Sequence, residues 1–206
     1  MRKFALVILL VTSVSNIVFA GSFKNNHLEV PYSIFNTPGI VLNYEVQVKE
    51  ILLKDAPLYP YVQMVVLPSF EAEWMVSIAQ PKDGIFQVEY VTVNQQIWAN
   101  KKLQDIKQIK KSAVIPEALA NDINHVWKKM LKNVRYPEQD RLGLDGTTFY
   151  FIADDLVGRA WSPQENSLVG MQTSIGELLR DYVLSRKDEN ILGEIKKVIE
   201  SINRKL

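Results

Sequence analysis

The chain of 206 residues contains no cysteine, and this absence constrains its fold more than any residue it carries. No disulfide can staple it, so a hydrophobic core must hold it together unaided. A domain of about 190 residues buries roughly 70% of the surface of its unfolded chain, which is sufficient. The same absence removes thiol catalysis, iron–sulfur clusters, cysteine zinc sites and lipid attachment to an N-terminal cysteine.

The N-terminus reads as a targeting segment. Arg2 and Lys3 precede an uncharged apolar run from Phe4 to Phe19, which ends in Val18-Phe19-Ala20-Gly21. Val18 and Ala20 occupy the positions that a signal peptidase reads, so residues 1–20 are expected to be a cleaved signal peptide. The run is short for a membrane span, and Ser13, Ser15 and Asn16 weaken its second half. Export is therefore expected. A cysteine-free exported chain suits the bacterial periplasm, with release from the cell as the alternative.

Cleavage takes two of the 24 basic residues and none of the 23 acidic ones, leaving a balanced surface. Binding to phosphate backbones needs a concentrated excess of Lys and Arg, so nucleic acid is not the expected partner. No later stretch is apolar and uncharged for long enough to span a bilayer.

Residues 21–38, with Asn25, Asn26, Pro31, Asn36 and Pro38, read as an extended lead-in, and residues 39–206 as one domain. Leu42, Tyr44, Val46 and Val48 alternate with polar residues and predict a half-buried strand. Tyr61–Leu67 predicts a denser strand. Strands around Trp74–Ile78 and Phe86–Tyr90 flank Pro81-Lys82-Asp83-Gly84, a hairpin signal. Residues 94–114 fit neither period. After Pro116, the residues Leu119, Ile123, Val126, Trp127, Met130, Leu131 and Val134 fall on one helical face. Thr147–Ala153 and Val157–Trp161 predict a second hairpin around Asp154-Asp155. Two helices follow, the first with capping-box spacing at Ser174 and Glu177, the second capped by Asp188 or Asn190. The pattern predicts an α+β fold: a mostly antiparallel sheet packed by one central amphipathic helix and two C-terminal helices.

Catalytic signatures are sparse. His27 lies in the lead-in. His125 lies opposite the apolar stripe of its helix, near Lys128 and Lys129, which disfavour imidazolium and bound cations alike. No metal site, cofactor or catalytic residue is predicted. There is no Gly-x-Ser-x-Gly, phosphate loop or dinucleotide fingerprint. Ser201-Ile202-Asn203-Arg204 has the spacing of a Ser-x-x-Lys motif but carries arginine, which cannot act as a base. The adjacent acids Asp154 and Asp155 fit a turn, and Glu71 and Glu73 flank a connection.

Binding residues are easier to nominate. Arg135, Tyr136, Asp145, Arg159 and Trp161 lie close in sequence, and Arg159 and Trp161 share a strand face. Arg and Trp dominate interface hot spots, although a core Trp161 with Arg159 covering its edge by its aliphatic stem is the simpler explanation of the pair. Trp74 and Trp127 sit on apolar stripes and are expected in the core. Trp98, among Asn94, Gln95, Gln96 and Asn100, is expected near the surface. The sequence thus predicts a non-enzymatic, exported binding protein with a protein partner in the cell envelope, such as an inhibitor, immunity-like or assembly factor. The alternative is a carboxylate-based hydrolase of envelope glycan, which requires two acids converging in a cleft.

Overall fold

A computed structural model describes residues 27–31, 39–79, 84–100, 102–137, 145–185 and 188–206. The expected signal peptide, most of the lead-in and residues 80–83 of the first hairpin turn lie outside the described residues. Among the described residues, six strands form one antiparallel sheet. They are β1 (Val62–Pro68), β2 (Trp74–Ala79), β3 (Gln87–Val93), β4 (Gln108–Val114), β5 (Thr147–Ala153) and β6 (Leu156–Trp161), in the spatial order β4-β3-β2-β1-β5-β6. The helices are α1 (Gly39–Ile51), α2 (Glu117–Leu131), α3 (Leu168–Leu184) and α4 (Glu189–Lys205). The molecule is an α+β fold.

Alternation along the central strands divides the core into two layers. Met64, Val66, Val76, Ile78, Val88, Phe149 and Phe151 point to one face, where Ile123, Trp127, Ile175 and Leu179 from α2 and α3 meet them. The stripe predicted for α2 is buried, with Val134 partly so. α4 joins this layer through Ile195, Ile199 and Ile202 and packs on α3 and α2. Val65, Leu67, Met75, Val91 and Val93 point the other way, against Tyr44, Val48, Ile51 and Leu52.

The second layer corrects the reading of residues 42–48. They belong to a helix, α1, not to a strand. Tyr44, Val48, Ile51 and Leu52 recur at helical spacing and meet the sheet, whereas Val46 is exposed. Four alternating positions satisfy period two by chance, and a sheet face left open by the other helices overrides the β preference of valine.

Residues 94–114, which fit no period, form an irregular connection, a 3-10 turn (Leu103–Asp105) and β4. β4 is an edge strand exposed at Ile109, Lys110, Lys111 and Ser112, so it carries no apolar alternation to read.

The start of α3 is a second correction. The helix begins at Leu168, about two turns before the start that a capping box at Ser174 predicts. Ser167 caps it: its Oγ accepts the Gly170 N–H at 2.9 Å and donates to the Gln164 carbonyl at 2.6 Å. Gly170 and Gly176 lie inside the helix because their surroundings leave no room. A Cβ on Gly170 would overlap the Gln164 backbone carbonyl, and one on Gly176 would overlap the Met64 thioether. The second case can relax by moving a flexible side chain; the first cannot. Gly170→Ala is therefore expected to destabilise the fold by about 1–3 kcal/mol, the usual cost of overpacking, although alanine is the better helix former. Urea unfolding checks this, and a neutral or stabilising alanine would show that the 162–166 segment yields freely.

The β5–β6 hairpin turns as predicted. Ala153 pairs with Leu156 around Asp154 and Asp155, with Asp154 in the left-handed region (φ 52°). Asp154 also pairs with Lys128 of α2 at 2.6 Å.

Candidate functional site

One end of the sheet gathers the residues best suited to recognition. There β1, β3 and β6 finish and β2 and β5 begin. Hydrogen bonds tie the loops of this end together. Gln96 Nε2 donates to the Ser69 carbonyl at 2.8 Å, Ser69 Oγ donates to the Gly146 carbonyl at 2.8 Å, and the Thr147 N–H donates to Ser162 Oγ at 3.0 Å.

The connection carrying Trp98 is fixed from below by Glu73, which is fully buried. Glu73 Oε2 accepts the Ile97 N–H at 2.8 Å. Its Oε1 accepts the Trp98 N–H at 3.1 Å and the Tyr44 hydroxyl at 2.8 Å. The Tyr44 ring meets the Trp98 indole edge-on at 5.0 Å between centroids. Burial, then the neighbouring Glu73 carboxylate, push the Tyr44 phenol far above its ordinary range, so it remains a donor. The Trp98 indole is 52% exposed above this support, and Phe70, on the neighbouring β1–β2 connection, is 77% exposed.

On the helix side of the same end lies an open groove of about 850 Å³ between the start of β5, residues 162–166 and α3. Thr147, Ser162, Asn166, Thr173, Glu165 and Glu177 line it. Ser162 holds a left-handed backbone (φ 38°), a conformation that a non-glycine residue adopts at some cost. Glu177 is half-buried and makes no hydrogen bond or ion pair among the described residues. Arg180, one turn along, pairs with Asp181 at 2.9 Å and lies over the Trp74 ring. Burial raises the Glu177 carboxyl above its usual range; Arg180 opposes this, and Asp181 and Glu165 add to it.

This carries a signed pH dependence. A raised native pKa means that the folded state holds the proton longer than the unfolded chain, so stability falls as pH rises through the glutamate range. Glu177→Gln is expected to raise the thermal midpoint at pH 7 and to lose that advantage below the ordinary glutamate pKa. Thermal unfolding at both pH values checks it; a lower midpoint at pH 7 would mean that the carboxylate has a stabilising partner.

The residues nominated from sequence divide into two groups. Trp98, Asp145 and Trp161 belong to this end of the sheet. Asp145 is exposed, and Trp161 is half-buried against Gly146, where an added Cβ would overlap its ring. Arg159 is buried and lies on the same face as Trp161, opposite Tyr150. Its backbone pairs with Glu29 of the lead-in, whose neighbours Leu28 and Val30 pair with Arg135. Arg135 and Tyr136 are exposed beside that junction. Arg159 thus serves the seam between β6 and residues 28–30.

The acid pairs weighed from sequence do not converge. Asp154 is bound to Lys128, Glu71 is exposed and Glu73 is enclosed. Glu165 and Glu177 were not nominated, although Ser167, read as the cap, would have aligned Gly170, Thr173, Ser174 and Glu177 on one face. His125 is exposed. Among the described residues no group of three or more His, Asp or Glu could hold a metal ion, and no helix is long and apolar enough to cross a membrane. No protein-family model matches the chain, and no curated protein or solved structure is significantly similar to it.

Proposed function

We propose that this chain is an exported protein, resident in the periplasm, that works by binding a protein partner at the sheet end presenting Trp98. One observation carries the reading: a large aromatic, half-exposed, on a connection whose Ile97 and Trp98 N–H groups both donate to a buried carboxylate that also accepts the Tyr44 hydroxyl. Trp is among the commonest hot-spot residues, and a preformed support reduces the ordering cost of association. Phe70 extends the apolar surface, and Asp145 supplies a polar rim. The inhibitor, immunity-like and assembly roles all require such a surface.

The test is capture of a stoichiometric partner from native envelope extract by the full chain carrying a C-terminal tag. Loss of that partner on Trp98→Ala, with an unchanged unfolding curve, is the supporting result. A partner indifferent to Trp98→Ala removes this surface, and recovery of the tag solely from the cytoplasm removes the export reading.

A second reading, a carboxylate-based hydrolase of envelope glycan, is favoured by the groove, where Glu165 and Glu177 stand in different environments. Glycoside hydrolysis uses two carboxyl groups flanking the scissile bond, and burial raises the pKa of Glu177. Release of soluble sugar from isolated cell-wall glycan, abolished by Glu177→Gln, would replace the binding reading with this one.

A further inference from the structure

The two edges of the sheet are treated differently. In an antiparallel pair, alternate residues bond to the neighbouring strand, and those between them point their N–H and C=O outward. On β6 the Ser162 N–H bonds the Thr147 carbonyl, so parity turns Arg159 outward. That outward pair is occupied: the Glu29 N–H donates to the Arg159 carbonyl at 2.7 Å, and the Arg159 N–H donates to the Glu29 carbonyl at 2.8 Å. A short extended segment bearing a glutamate thus closes this edge.

The β4 edge has no such cover. The Asn94 N–H bonds the Lys107 carbonyl and the Ile115 N–H bonds the Phe86 carbonyl, which brackets the strand and fixes its parity. Ile109, Lys111 and Ala113 therefore bond to β3, while Gln108, Lys110, Ser112 and Val114 point outward. Tyr182 caps the Val114 carbonyl. The outward backbone groups of Gln108, Lys110 and Ser112 have no protein partner among the described residues. The strand runs in unbroken register over seven residues, and Gln108 Nε2 anchors its start to the Ile51 and Leu52 carbonyls at the end of α1.

Charge selects among possible occupants. β4 carries Lys110 and Lys111, follows Lys107 and contains no acid. Lys110 reaches Asp55, and Lys107 and Lys111 are exposed without an ion pair among the described residues. A second copy of β4 would bring lysines against lysines, which such edges use to prevent self-pairing. An acidic strand would gain what that copy loses. We infer that β4 is a strand-addition site for an extended acidic segment of the protein partner, held by backbone bonds to Gln108, Lys110 and Ser112 and by the flanking lysines. This rests on the protein-partner reading and deepens it, since the connection that presents Trp98 leads directly into β4.

The test uses the isotope-labelled full chain and two blocked seven-residue peptides, one of alternating Glu and Val, the other with Lys for Glu. The acidic peptide is expected to shift the amide resonances of Gln108, Lys110 and Ser112 and to slow their exchange, and the basic peptide to do neither. Ser112→Pro removes one outward N–H and leaves the bonds to β3, since proline is tolerated on an edge. It should weaken the acidic peptide about tenfold or more without changing the unfolding midpoint. Lys110→Glu with Lys111→Glu should reverse the peptide preference. Equal response to both peptides, no response at millimolar concentration, or full affinity in Ser112→Pro would overturn the inference. A concentration-dependent dimer abolished by Ser112→Pro would overturn it in favour of a second copy. A captured partner lost on Trp98→Ala but kept by Ser112→Pro would retain the partner reading and discard strand addition.

Discussion

Trp127→Ala is expected to cost about 3–5 kcal/mol of folding free energy, the range for removing a large buried aromatic side chain. Trp127 is fully buried in the middle of α2, with its ring 5.6 Å from that of Phe151 on β5, so it joins the helix layer to a central strand. Alanine would leave a cavity bounded by strand and helix backbones, which cannot collapse far. Trp127→Phe separates packing from polarity. The indole Nε1–H has no hydrogen-bond partner among the described residues, and an unsatisfied buried donor is itself a cost of about 1–3 kcal/mol. Phenylalanine removes that donor while keeping the ring contact, so its loss should be clearly smaller than that of alanine. Urea unfolding of the three proteins decides the matter. A loss below about 1 kcal/mol for alanine would mean that α2 turns a different face to the sheet.

Trp127 also shows what was legible in the sequence. A fifteen-residue helix with one apolar face against a sheet repeats its signal over four turns, so α2 could be read directly. The β5–β6 hairpin was equally clear, because both its strands and its Asp-Asp turn are local features. Residues 42–49 of α1 imitate a strand because the apolar face of the helix is completed by Ile51 and Leu52, beyond that window, while the exposed Val46 falls in phase with the alternation. β4 gave no pattern because edge strands exchange apolar side chains for charge. The start of α3 is hidden in the sequence because Gly170, which normally argues against a helix interior, is fixed there by the Gln164 carbonyl just upstream, a packing contact that no residue pattern encodes.

The candidate site was legible only in part, for the same reason. Trp98 could be placed at the surface from its polar neighbours, and it is there. What makes it a plausible contact is the carboxylate beneath it, contributed by a residue 25 positions earlier. Nothing in the sequence distinguishes Glu73, enclosed, from Glu71, exposed two residues before it. The groove likewise depends on Glu165 and Glu177 from opposite sides of a helix start, and only the true cap at Ser167 brings them into one lining.

Glu73→Ala is the second large effect expected, about 3–5 kcal/mol, because it leaves three donors without the acceptor that satisfied them, at about 1–3 kcal/mol for each one that stays buried. The Ile97 and Trp98 N–H groups and the Tyr44 hydroxyl would all lose their acceptor. Glu73→Gln preserves the shape and tests which oxygen matters. If the amide oxygen takes the Oε1 position, the bonds from Tyr44 and Trp98 survive and the NH₂ opposes the Ile97 N–H. The cost should then fall between zero and that of alanine. Amide exchange at residues 97 and 98 reports the loop itself: fast exchange in Glu73→Ala, with the β1–β5 ladder still protected, means that the connection has come loose while the fold persists. In that state Trp98 keeps its identity and loses its support, so partner capture should weaken although no contacting residue has changed. A Glu73→Ala protein that captures the partner as the parent does would show that binding needs the indole but not its preorganisation, and would return the buried carboxylate to a purely structural role.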